Sequence, residues 1–311
     1  MNFNNFVQRR KIYYSISGII IALGILAMIY SYFTVGQVFR LGVDFVGGTR
    51  FEVQFSTPVT EADLRQIFVE NGINNPSVVT LRGQGVENGW QIRVPYLSPE
   101  ETQTLQDSME ALSPLVPNTL LITTMSPAVG REVTRSAFVA VAVAALIILF
   151  YIMIMFRQVP HPFRYGLCAV IAMCHDLLVI LGFVSLMSAI LGWELDALFL
   201  TAVLTVVGFS LQDTIVVFDR IRENLGKPKN RRLSFEDIVN MSVGDVFKRS
   251  VITQLSAMFV MVSILLFGGD PIKAFIAVLF VGLLSGTYSS LFTATPLLVT
   301  WEEKVNPSHA G

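Results

Sequence analysis

Four ionisable residues in or beside long apolar stretches could carry chemistry: His175 and Asp176 in one, Asp213 in the next, and Arg249 at the opening of another. A charge at mid-span costs roughly 2.5–3.5 kcal/mol on insertion scales, so such residues mark functional sites by default. The chemistry they can carry is proton or ion handling. Burial favours a neutral carboxyl and a nearby guanidinium favours the charged one; exchange between the two states can repack helices. The residues alone leave structural alternatives open. Asp213, flanked by Gln212 and Thr214 with Thr205 two turns away, has as its lesser alternative hydration from the cytoplasm or a packing hydrogen bond. His175 and Asp176 point about 100° apart on a helix, so both can face a bundle interior as a hydrogen-bonded pair. Arg249, with Thr253 and Ser256 at i+4 and i+7, can snorkel to lipid headgroups. Asp213 and Arg249 each lie 18 residues from Arg231. A symmetric loop around Arg231 would therefore place them at similar depth on antiparallel helices. No second His or Cys completes a metal site with His175, and no cofactor motif occurs. Cys168 and Cys174 lie about 240° apart around a helix axis and cannot pair.

The elements that must hold these residues follow from composition. Of 311 residues, 53% are apolar and only 14% charged, against about 25% charged in soluble domains. The net charge of −1 argues against a nucleic-acid partner. Six stretches satisfy the roughly 20 apolar residues that a hydrocarbon core requires: 12–35, 134–156, 165–191, 197–218, 250–268 and 273–300. The first follows Arg9, Arg10 and Lys11, but its apolar run is too long for a cleaved signal, so a retained anchor is expected. Basic residues cluster before the first span, between the second and third (Arg157, Arg164), and between the fourth and fifth (Arg220 to Lys248). The opposite loops, near 192–196 and 269–272, carry only Glu194, Asp196 and Asp270. That bias predicts cytoplasmic termini. The expected organisation is a cytoplasmic N-terminus and first helix over 1–36, an external domain over 37–133, and five further helices over 134–311 with a cytoplasmic loop at 219–248.

Residues 37–133 hold the alternating, turn-punctuated sequence of the chain. Thr49 to Phe55 reads as a strand with period two. Thr60 with Asp63, and Ser98-Pro99-Glu100-Glu101, are helix starts of the capping-box type; the first helix closes at Asn71-Gly72 and the second near Leu112. Val78–Leu81 and Trp90–Val94 are strands joined by a Gly-rich turn, and Thr119–Met125 supplies a last one. The order β-α-β-β-α-β predicts a ferredoxin-like α+β domain. Its six basic and eleven acidic residues give a net of −5, against flat docking on anionic lipid. It contains no histidine, paired catalytic carboxylates or Ser/His/Asp set, so an enzyme is not expected. Ser234–Phe247 is amphipathic and predicts a helix in the membrane interface that serves as a structural cuff on the bundle. Gly282, Gly286 and Ser290, four apart, predict close helix packing.

Leu41-Gly42-Val43-Asp44-Phe45-Val46-Gly47-Gly48-Thr49 resembles the "G-x-D-F-x-G-G-T" segment of the SecD/SecF family. In it Gly42, Gly47 and Gly48 are expected to set the turn from membrane to domain, because glycine accepts φ > 0. The stretch from Gly208 to Asn224 (GFSLQDTIVVFDRIREN) looks like the SecF signature of the fourth span, and Ala172-Met173-Cys174-His175-Asp176 is similar to its third-span segment. Where the family usually has Asn before the aspartate, this chain has Gln212, which keeps the amide. The resemblance implies a bacterial inner-membrane subunit paired with SecD and acting with the SecYEG channel, with YajC, exported preproteins and membrane lipids as further partners. It implies coupling of the proton-motive force to late steps of export, within the resistance–nodulation–division superfamily. The family's relay aspartate falls on Asp213 and its essential arginine on Arg249, with the principal SecD carboxylate on another chain; His175 and Asp176 stand as secondary candidates on their own depth in the span. Two rivals are a solute or lipid exporter of that superfamily and a non-transporting scaffold. An exporter would generally carry two large external domains and about twice this length.

Overall fold

The computed structural model describes residues 5–81, 86–230 and 232–305. Arg82, the expected turn at Gly83 and Gly85, Arg231 and the last six residues lie outside these, as does the side chain of Asp270. The described chain divides into two compact units.

The smaller unit spans Arg40–Val139 and takes in Gly192–Ala197. Its sheet is built from β2 (Gly48–Gln54), β3 (Ser77–Leu81), β4 (Gly89–Val94) and β5 (Leu121–Met125), in the order β3-β4-β2-β5, all neighbours antiparallel. β2 and β3 are thus parallel with β4 between them, and β4 and β5 parallel with β2 between them. Period two in β2 buries Thr49, Phe51 and Val53 on one face. That face is covered by Leu64 and Phe68 of α3 (Glu61–Glu70) and by Leu105 and Met109 of α4 (Pro99–Leu112). Each such fully buried side chain contributes roughly 1.5–3 kcal/mol. Both helices start where their capping boxes direct: Thr60 accepts from the Asp63 N–H and Ser98 from the Glu101 N–H, each carboxylate reaching back to the cap's own N–H.

The other face of the sheet sets Arg50 directly opposite Arg93, a repulsive arrangement for like charges. Glu194 supplies the counter-charge, 3.4 Å from Arg93 and 4.0 Å from Arg50, while Glu52 pairs with Arg50 at 3.2 Å. Burial pushes the Glu194 carboxyl above its usual range, outweighing the opposing pull of Arg93, Arg50 and Arg40. Glu194 and Leu195 form β6, a two-residue parallel partner of β1 (Arg40–Leu41). A single-turn helix α2 (Val43–Val46) follows β1.

The larger unit is helical. Six segments are long and apolar enough to cross a membrane: α1 (Arg10–Val35), α5 (Pro127–Met155), α6 (Pro162–Leu191), α7 (Ala197–Leu225), α8 (Phe235–Phe267), and a sixth made of α9 (Asp270–Ser289), a π-helical turn at Ser290–Ala294 and α10 (Thr295–Val305). α6, α7 and the sixth segment are the inner ones, whereas α1 and α5 leave most of their apolar side chains uncovered. Small residues let backbones meet: a Cβ on Gly24 of α1 would stand 3.3 Å from the Gly182 Cα of α6, and one on Gly286 would stand 3.0 Å from the Ser210 Cβ of α7. The expected packing role of Gly286 is therefore met.

Ser234–Phe247 is helical, as its amphipathic pattern predicts, and is continuous with the fifth span. Ser234 caps α8, which runs unbroken for 33 residues through the fifth span. The apolar stripe Val239, Val243 and Val246 is buried in the bundle core. No proline falls before the span, and the single Gly244 leaves the helix continuous, so the amphipathic segment is simply its first half.

Candidate functional site

Asp176, on α6, is 2% exposed and collects four partners. Ser285 donates to Oδ1 at 2.6 Å, Ser210 and Ser289 donate to Oδ2 at 2.6 and 2.8 Å, and His175 Nδ1 lies 3.1 Å from Oδ1. A carboxylate offers about four lone-pair sites, so Asp176 is saturated. The donors come from three helices. Ser210 belongs to α7, and Ser285 and Ser289 are i,i+4 on the closing turns of α9, immediately before the π-helical turn. π turns are frequent at functional sites. His175 is 5% exposed, its ring stacks at 6.2 Å on Tyr288, and its Nε2 is buried without a hydrogen-bond partner among the described residues.

Asp213 lies one turn beyond Ser210 on α7 and is 5% exposed. Its one hydrogen bond among the described residues is from Gln254 Nε2 of α8, at 2.6 Å to Oδ2. Thr214 beside it donates to the Ser210 carbonyl at 3.0 Å. Ser210 thus joins the two buried carboxyl groups: its hydroxyl holds Asp176, and its backbone turn carries Asp213. Gln212 and Thr205, the neighbours singled out from the sequence, are both exposed, and Thr205 spends its hydroxyl on the Thr201 carbonyl.

Asp213 and Arg249 are not brought together: Arg249 is exposed and makes no ion pair with Asp213. The stripe of α8 that faces the bundle is Ser250, Gln254, Met258 and Met261. Arg249, Thr253 and Ser256 share the exposed side, where Thr253 and Ser256 bond back to the carbonyls four residues earlier. The α7–α8 hairpin does not fold back about Arg231. Arg220–Asp245, Asn224–Ser242 and Asp213–Gln254 all pair about a midpoint close to Leu233 rather than Arg231. The partner of Asp213 moves five positions along α8.

The glycine motif has a finer logic than a flexible turn. Only Gly47 and Gly48 have positive φ, +79° and +127°. Gly42 has φ −67° and ψ 168°, which any residue adopts, and it is a glycine because a Cβ there would stand 2.9 Å from the Leu195 carbonyl oxygen. Asp44 accepts the Ala197 N–H at 3.0 Å. Phe45 is buried, and its carbonyl accepts from Thr134 at 3.1 Å. Thr49 is fully buried and accepts the Leu97 N–H at 3.2 Å.

The model of the family described as "Protein export membrane protein SecD/SecF, C-terminal" matches residues 105–304, and that of the SecD/SecF GG motif matches residues 32–59. The chain belongs to the SecD/SecF family. Among its relatives, the protein translocase subunit SecF of Thermobaculum terrenum is 44% identical over 274 residues, covering 85% of each chain. That of Anaerolinea thermophila is 38% identical over 303 residues, covering 96% of this chain and 94% of the other. The crystal structure of SecDF from Thermus thermophilus, described as a translocon-associated membrane protein, superposes with a TM-score of 0.77 at 29% identity. It covers 96% of this chain, which corresponds to 38% of the SecDF chain. The GG-motif match takes in the segment from Leu41 to Thr49.

Proposed function

We propose that this chain is a SecF-type subunit of the Sec machinery, which pairs with SecD and acts with the SecYEG channel to couple the proton-motive force to late steps of protein export. Exported preproteins are its substrates, and YajC and membrane lipids are further partners. Family membership supports the pathway. The observation that carries the coupling is the pair of buried carboxyl groups on adjacent helices, linked through Ser210, of which Asp176 is saturated and Asp213 has one donor. Asp176 with His175 serves as a fixed clamp among α6, α7 and α9, while Asp213 is the group free to exchange a proton. Its charge decides how strongly it holds Gln254, and so how α7 and α8 pack. A gradient supplies about 2.3 kcal/mol per charge per 100 mV, enough to bias such a switch. Arg249 enters in a different arrangement of α8, since five positions set it about 7.5 Å along and 140° round from Gln254.

Both termini lie in the cytoplasm and the α+β unit lies outside, on the basic-loop bias. The deciding experiment is preprotein translocation into inverted vesicles, with an imposed proton gradient or with an uncoupler. Asp213→Asn should abolish gradient stimulation and leave ATP-driven initiation intact. A full wild-type response from Asp213→Asn would make Asp213 a packing residue and end the proposal.

A further inference from the structure

Asn224, near the end of α7, takes no part in the switch at Asp213, yet it is 1% exposed and all its side-chain polar groups are engaged. An amide offers two N–H donors and one acceptor oxygen. The Asn224 Nδ2 group donates to Ser242 Oγ of α8 at 2.9 Å and to Asp245 Oδ2 at 3.3 Å, while its Oδ1 accepts from Lys227 Nζ at 2.8 Å. Its backbone carbonyl accepts from Asn230 Nδ2 at 2.8 Å, which ties the connection between the helices to the same residue. Ser242 gives its own proton to the Ile238 carbonyl at 2.6 Å, so its oxygen serves Asn224 as an acceptor. Arg220 also reaches α8, with Nε and Nη2 on Asp245 Oδ2 at 2.8 and 2.7 Å. Both partners of that ion pair are about a third exposed, and such pairs contribute little. The contact that discriminates one register from another is the buried one.

Asp213 lies 11 residues before Asn224, about three turns along and about 20° round, so the two share one face of α7. Gln254 lies 12 residues beyond Ser242 on α8. Packed helices can shift past one another by one turn. One turn before Gln254 on the inward stripe of α8 stands Ser250, 4% exposed, whose hydroxyl has no hydrogen-bond partner among the described residues. A four-residue slip of α8 would carry Ser250 to Asp213. The same slip would set the Asn224 amide against Ile238 and Arg220 against Met241, leaving a buried amide with no side-chain acceptor. We infer that Asn224 is the positioning residue that holds α8 in register on α7, so that Gln254 and not Ser250 meets Asp213. The register stands on the geometry alone; its bearing on transport rests on the reading of Asp213 given above.

The test is the double-variant cycle of Asp213→Ala with Gln254→Ala in the full-length chain, with and without Asn224→Ala, read by reversible unfolding in mixed micelles. With Asn224 present the pair should be coupled by roughly tenfold in the unfolding constant. With Asn224→Ala the coupling should fall below about twofold. The matching cycle with Ser250→Ala should change the other way, from additive to coupled by roughly threefold or more. Coupling at Gln254 that survives Asn224→Ala would overturn the inference and leave Asn224 a local brace. Loss at Gln254 with no gain at Ser250 would overturn the one-turn alternative and keep Asn224 as the lock. Should Asn224→Ala fail to fold, Ser242→Ala, which removes one acceptor from Asn224, decides by the same two cycles. Translocation separates the register from the proposed function: Asn224→Ala should lose gradient stimulation with ATP-driven initiation intact. Lost coupling beside a wild-type gradient response would sink the role given to Asp213 and leave the register standing.

Discussion

The pairing of Asp213 with Gln254 rather than with Arg249 can be measured as an energy. Consider the cycle Asp213→Ala, Gln254→Ala and the double variant, followed by reversible unfolding of the purified chain in mixed micelles. Interhelical hydrogen bonds in membrane proteins couple by about 0.6 kcal/mol on average and about 1.7 at most, whereas bonds to charge-capable groups in proteins at large are worth about 1.5–3 kcal/mol. The Asp213–Gln254 bond is short at 2.6 Å and both residues are buried. It belongs at the upper end of the membrane range, at about 1–1.7 kcal/mol. The matching cycle with Arg249→Ala should be additive within about 0.3–0.5 kcal/mol, as for sites that share no partner. Coupling to Arg249 together with additivity at Gln254 would refute the pairing and restore the symmetric-loop register.

The capping hydroxyls of the α+β unit should matter individually: Thr60→Ala and Ser98→Ala should each loosen their helix by about 1 kcal/mol, read as faster exchange over 61–70 and 99–112. Hydrogen bonds from Thr60 and Ser98 hold the Asp63 and Glu101 carboxyls below their ordinary values of 3.8 and 4.5. Lowered values mean that this stabilisation is complete above the ordinary carboxylate range and fades as pH falls through it, so protection of both helices should fall on acidification and do so less in the two variants. For topology, Glu110→Cys should react with an impermeant thiol reagent outside spheroplasts and Lys229→Cys should not, in a Cys174→Ser background because Cys174 is itself exposed; the reverse pattern would turn the chain over.

What was legible in the sequence was local. The capping boxes at Thr60 and Ser98, the alternation of β2 and the length of each apolar run are all decided within a few residues of where they act. The buried carboxyls were legible for a related reason, since an ionisable group among apolar neighbours stands out without knowledge of its partners. Their partners were not. Gln254, Ser285 and Ser289 are neutral and ordinary in a membrane helix, so nothing in composition distinguishes a serine that donates to Asp176 from one that bonds its own backbone. The four-residue spacing of Ser285 and Ser289 on the face of Gly282 and Gly286 was the available signal. Arg249 drew attention by its charge, yet a stripe of Ser250, Gln254, Met258 and Met261 had already settled which side of α8 faces inward.

The seam between β1 and β6 marks the other limit. Two-residue strands have no period, and these two are separated by about 150 residues, so neither pattern nor proximity announces them. What the sequence does contain is the conflict that the seam resolves: two arginines across a strand pair, and a glycine where the backbone needs none. Such a mismatch between a residue and its local requirement is physical evidence of a distant partner. It points the same way at Asp176, a carboxyl with no local reason to be buried, whose saturation by three helices fixes α7 where Ser210 and Asp213 share one turn. Asp213, one turn beyond Ser210, has a single hydrogen bond among the described residues.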